Sequence, residues 1–91
     1  MYTVILSDKA QADFAIFKKN NPKGYKKIEK LLIELQNHPK TGTGHVEQLK
    51  GNLSGLWSRR IDDKNRLIYY IDENMVKIVM VIQMIGHYDD K

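Results

Sequence analysis

The stretch Leu56-Trp57-Ser58-Arg59-Arg60-Ile61-Asp62-Asp63-Lys64-Asn65-Arg66-Leu67-Ile68-Tyr69-Tyr70-Ile71 reads as two strands joined by a turn. Both flanks are rich in aromatic and β-branched side chains, and Asp62-Asp63-Lys64-Asn65 has the composition of a tight connection, so an antiparallel hairpin is predicted. Alternation along a strand sends Arg59 and Arg60 to opposite faces, and only one of them can join Arg66. Pairing Ile61 with Arg66 across a four-residue turn puts Arg59 on the Arg66 face. A five-residue connection that pairs Arg60 with Arg66 puts Arg60 there instead. The residues themselves leave both registers open.

Working outward, Asp72-Glu73-Asn74 separates this hairpin from a third β-rich run, Met75 to Ile85, which extends it to an antiparallel meander. On the N-terminal side, Pro39-Lys40-Thr41-Gly42-Thr43-Gly44 has turn chemistry and no apolar period, and reads as a loop. Before it come two amphipathic helices. Ala10, Phe14 and Phe17 give the first an apolar face; Ser7 or Asp8 offers its N-cap, and Asn20-Asn21-Pro22 ends it. Tyr25, Ile28, Leu32 and Leu35 form the stripe of the second, which His38-Pro39 closes. Tyr2 to Leu6 is an opening strand. The predicted order is β-α-α-β-β-β, an α+β fold whose helical hairpin packs on one face of a mainly antiparallel sheet and leaves the other face partly open.

The chain has 91 residues, 42% of them hydrophobic, which suits one domain spanning residues 1–91. No window approaches the roughly 18 consecutive apolar residues of a membrane span, and Met1-Tyr2-Thr3-Val4 lacks the basic start of a secretory signal. A soluble, cytoplasmic protein without a membrane partner is expected. The chain has no cysteine, which excludes a disulfide framework and a thiolate zinc site. His38, His45 and His87 do not stand at compact ligand spacing with carboxylates, so neither metal nor cofactor is expected. Fifteen Lys and Arg against eleven Asp and Glu give a net charge of +4 and favour a polyanionic partner. The cluster Lys18, Lys19, Lys23, Lys26, Lys27 and Lys30 reads as a solvated helix face.

A second cluster, Lys50, Arg59, Arg60, Lys64 and Arg66, lies on or beside strands that also carry Trp57, Tyr69 and Tyr70. Arginine pairs with phosphate in bidentate fashion and aromatic rings stack unpaired bases, so the interleaving fits an RNA surface. The same residue types are common on ordinary exposed strands, and Trp57 equally suits the core. Glu47, just after the Gly-rich loop, and His87, just after Gly86, add two titratable groups. With an arginine they supply what RNA transesterification uses without a metal: a base for the 2′-hydroxyl proton, an acid for the leaving 5′-oxygen and a cation for the phosphorane charge.

The segments Gly42-Thr43-Gly44-His45-Val46-Glu47-Gln48-Leu49-Lys50, Asn52-Leu53-Ser54-Gly55-Leu56-Trp57-Ser58-Arg59-Arg60-Ile61, Arg66-Leu67-Ile68-Tyr69 and His87-Tyr88, in this order, resemble the YoeB/Txe family of RelE-type toxins from bacterial toxin-antitoxin pairs. The resemblance covers essentially the whole chain, helical hairpin included. It implies the RelE/ParE-like fold and a ribosome-dependent endoribonuclease, an mRNA interferase that cuts messenger RNA in the ribosomal A site and inhibits translation. By the family pattern Glu47 is the general base, His87 the general acid, Arg66 the stabiliser of the pentavalent phosphate, and Tyr88 orients substrate. Lys50 and Arg60 match phosphate-contacting positions, which favours the register with Arg60 beside Arg66; Arg59 completes the candidate substrate-binding cations. The implied partners are the ribosome with its mRNA and a cognate antitoxin, an extended or disordered segment that wraps the toxin. Operator DNA is reached only through that complex.

Two departures stand out. Where the family often has Lys-Pro before the glutamate, this chain has His45-Val46, which removes one cation and some rigidity. Asp89-Asp90-Lys91 follows the His-Tyr pair that ends typical members, and two carboxylates close to His87 would raise its pKa. Competing expectations are a ParE-like toxin that poisons DNA gyrase on the same scaffold, and a non-catalytic RNA-binding module.

Overall fold

The computed structural model describes residues 1–74 and 77–86. Strand β1 (Thr3–Leu6) leads into helix α1 (Asp8–Asn20), helix α2 (Pro22–Asn37), a two-residue strand β2 (Glu47–Gln48), and strands β3 (Trp57–Arg60), β4 (Arg66–Asp72) and β5 (Ile78–Gln83). These form one five-stranded sheet in the order β1-β5-β4-β3-β2. The pairings β2–β3, β3–β4 and β4–β5 are antiparallel, and β1 lies parallel to β5 at one edge, from which the helical hairpin carries the chain to β2 at the other. The α+β architecture matches the sequence expectation. The additional strand is β2, whose exposed Glu-Gln pair has no β signal of its own and becomes a strand only by pairing with β3. A 3-10 turn at Gly51–Leu53 follows it.

Local chemistry sets the helix ends. Ser7 caps α1, its hydroxyl oxygen accepting from Ala10 N at 3.1 Å. Asn21 both ends α1 and caps α2, with Oδ1 accepting from Gly24 N at 3.0 Å and Pro22 in the first turn. The helices approach so closely at Gly24 that a Cβ there would stand 2.8 Å from the Phe17 ring. Phe14 stacks on Tyr25 with ring centroids 4.7 Å apart. Toward the sheet, Ala10, Phe17, Ile28, Leu31 and Leu35 meet Leu67, Tyr69, Val79 and Val81 in the buried core. Leu31, not Leu32, is the buried member of the α2 stripe, and Leu32 packs at its margin. Residues 57, 59, 67 and 69 therefore face the helices, and residues 58, 60, 66 and 68 face away.

Candidate active site

The β3–β4 register has Arg60 opposite Arg66, so these two share the face away from the helices. The connection spans residues 61–65 because Asp62 organises it. Its Oδ1 accepts from Lys64 N and Asn65 N, both at 2.8 Å, while Ile61 N donates to Asn65 O at 3.0 Å. Glu47 stands opposite Ser58, whose other neighbour is Ile68, and joins the same face one row from the arginine pair. Two strand spacings of about 4.8 Å and two residues along the strands separate the Glu47 and Arg66 backbones. Long side chains from both can converge on a group held between them. Among the described residues, Glu47, Lys50, Arg60 and Arg66 make no ion pair. Glu47, Lys50 and Arg60 are exposed; Arg66 is partly buried, its Nη1 donating to Asp62 O at 2.7 Å and Asn65 O at 3.1 Å. Those two carbonyls aim the guanidinium without neutralising it.

Arg59 is a correction. It lies on the helix face, has no exposed surface and is paired with Glu34, Nη1 to Oε1 at 3.0 Å. A side chain so enclosed cannot touch RNA, and its role is internal. Trp57 is half-buried at the edge of the core, with its ring 6.4 Å from that of buried Tyr69. Of the aromatics expected at a stacking surface, Tyr70 is exposed. Lys18, Lys19, Lys23, Lys26 and Lys30 are exposed and Lys27 half-buried, in keeping with a solvated helix face. His87 and Tyr88 lie outside the described residues.

Three side chains that the sequence did not single out shape this region. Buried Asp13 of α1 accepts through Oδ2 from Met84 N at 2.9 Å and Ile85 N at 3.1 Å, and pairs with Lys9 at 2.9 Å. Burial alone would raise the Asp13 carboxyl, but these backbone N–H groups and the Lys9 ammonium hold it below its ordinary value. Asn65 Oδ1 accepts from Gly86 N at 2.9 Å, while its Nδ2 donates to both oxygens of Asp62 at 3.1 Å. Gly86 O in turn accepts from Arg66 N at 2.8 Å. The turn that presents Arg66 thus also grips the main chain one residue before His87. Asp62 is likewise lowered: burial opposes its charge, and Asn65, the Lys64 N–H and nearby Arg66 favour it. A buried aspartate on an otherwise apolar helix face was the available sequence signal for Asp13; the Asp-x-x-Asn spacing was the signal for the turn.

The sequence pattern of the YoeB-like toxins of bacterial type II toxin-antitoxin systems matches residues 6–88. The chain is 38% identical over 79 residues to toxin YoeB of Mycobacterium bovis, covering 87% of this chain and 93% of that protein. The fold superimposes on a YoeB/ParE toxin from Agrobacterium tumefaciens with a TM-score of 0.86 at 28% identity, covering 94% and 99% of the two chains. A YoeB–YefM complex from Staphylococcus aureus matches with a TM-score of 0.80 at 35% identity over 97% and 99%. On the matched span, the shared identity and the common helical hairpin on a five-stranded sheet, the chain belongs to the YoeB-like toxin family of bacterial type II toxin-antitoxin systems.

Proposed function

We propose that the protein is a metal-independent endoribonuclease that cleaves messenger RNA in the ribosomal A site and thereby arrests translation. The observation that carries the reading is the register that sets Glu47, Arg60 and Arg66 on one sheet face without an ion-pair partner among the described residues. Arginines without a carboxylate partner are free to take a phosphodiester, and the neighbouring carboxylate can accept the 2′-hydroxyl proton.

In the reaction, Glu47 takes the 2′-hydroxyl proton as the 2′-oxygen attacks the adjacent phosphorus. Arg66, aimed by the Asp62 and Asn65 carbonyls, stabilises the charge on the pentavalent phosphate. The bond from phosphorus to the 5′-oxygen breaks, and His87 gives that oxygen its proton, leaving a 2′,3′-cyclic phosphate and a 5′-hydroxyl. Tyr88 orients the substrate, and Lys50 and Arg60 hold flanking phosphates. In this reading the ribosome supplies the codon already positioned for in-line attack.

An antitoxin segment that lies across this cationic face in the resting cell completes the reading, supported by the likeness to the YoeB–YefM complex. A substrate carrying 2′-deoxyribose at the scissile nucleotide tests the chemistry: it should bind programmed ribosomes normally and remain uncut, while the ribose form yields a cyclic phosphate end. Cleavage of the deoxy substrate would reject 2′-hydroxyl attack. A folded protein that spares RNA but traps gyrase on DNA would replace the reading with gyrase poisoning.

A further inference from the structure

The Arg59 guanidinium has five N–H groups, and all five are matched by acceptors on three different segments. Nε donates to Tyr69 Oη at 3.2 Å; Nη1 donates to Glu34 Oε1 at 3.0 Å and Thr43 O at 3.4 Å; Nη2 donates to His38 O at 2.5 Å and Thr41 O at 2.8 Å. Burying a guanidinium costs desolvation that an apolar side chain of similar volume would avoid, so its use here calls for a reason other than packing. The three carbonyls it gathers belong to one loop without regular structure. Glu34 grips the same loop from α2, accepting from Thr43 N at 2.8 Å and Thr43 Oγ1 at 2.6 Å, and Tyr69 Oη donates to Pro39 O at 2.7 Å. The glycines are there because the loop presses on this pair. At Gly42 (φ +123°) a Cβ would stand 2.6 Å from Glu34 Oε1, and at Gly44 (φ +91°) 3.2 Å from Arg60 O. Gly44 O accepts from Arg60 N at 2.5 Å, and three residues later the chain enters β2 at Glu47.

We infer that Arg59 is a positioning residue, a latch that with Glu34 fixes the Thr41–Gly44 loop and through it the register that sets Glu47 beside Arg60. The inference rests on the reading of Glu47 as the base. It explains how a two-residue strand of exposed polar residues holds one register: the loop that delivers it is anchored in the core on the opposite side of the sheet.

Two variants test it. Thr43→Val removes one exposed hydroxyl from the latch and keeps the shape; Arg59→Lys keeps the charge and loses the fork. Single-turnover cleavage on programmed ribosomes, KM, and amide exchange at Arg60 would be measured for each, in the parent and in a Glu47→Ala background. The latch predicts faster exchange at Arg60, a cleavage rate lowered about tenfold with KM within about twofold, and a further loss of less than about twofold when Glu47 is already absent. Parental cleavage by a folded Thr43→Val chain overturns the inference, as does an equal loss in both backgrounds, which would mark a general structural effect. A parental rate from Glu47→Ala with the latch intact overturns the base assignment itself, so the two failures are told apart.

Discussion

Arg59 and Arg60 are neighbours in sequence and opposites in environment, and the difference is visible in what each leaves behind when removed. Truncating Arg59 strands Glu34 and three loop carbonyls near the core, so Arg59→Ala should cost about 3 kcal/mol of unfolding free energy, toward the lower end for a broken buried pair because Glu34 keeps some contact with water. Arg60 is exposed and holds no carboxylate among the described residues. Arg60→Ala should therefore change stability by less than about 0.5 kcal/mol while weakening RNA binding. Urea denaturation of the two variants checks both figures, and similar losses would mean that the two faces are misassigned. Alternation alone told that the arginines diverge. Which of them joined Arg66 hung on one residue of turn length, and that length is set by the Asp62 carboxylate, whose hydrogen bonds to Lys64 and Asn65 leave no periodic mark.

At the level of elements, three carboxylates bolt segments together, and each is held below its ordinary pKa against the opposing pull of burial. Asp13 ties α1 to the exit of β5, Glu34 ties α2 to the loop before β2, and Asp62 closes the β3–β4 turn. A folded-state pKa below the unfolded value means that the unfolded chain binds protons more readily. The stability these groups contribute is present above their ordinary values of 3.8 and 4.5 and is lost as pH falls through the lowered ones. Thermal melts should be nearly flat from about pH 7 to 5 and drop below that, and Glu34→Gln should shallow the drop. A melting temperature that rises on acidification would contradict this. Asn65 gives a second test at this level: Asn65→Ala removes its bonds to Asp62 as well as to Gly86, and should speed amide exchange at Gly86 and cost about 1–3 kcal/mol. The long elements were legible because their apolar periods are strong. Strand β2 and the clamp at Gly86 were not, because each depends on partners far away in sequence: Ser58 for Glu47, Asn65 for Gly86.

Across the whole molecule, the sheet divides the labour. One face packs against α1 and α2 and contains the paired arginine; the other carries Glu47, Arg60 and Arg66 unpaired among the described residues, within a chain of net charge +4. A cationic face that neutralises phosphates binds with a salt dependence set by their number, so Arg60→Gln should reduce the slope of log affinity against log salt by about 0.7 for a single-stranded RNA. Fluorescence anisotropy over a salt series would read it, and an unchanged slope would remove Arg60 from the phosphate contacts. The most direct test of the central claim is to map the 5′ ends of messenger RNA in a translating extract with the purified protein, with its Glu47→Gln variant, and on the same RNA without ribosomes. The account predicts new ends at a fixed position within the A-site codon, only when ribosomes are present, and lowered at least about 100-fold by Glu47→Gln. Intact transcripts on translating ribosomes, or undiminished cutting by the variant, would contradict it.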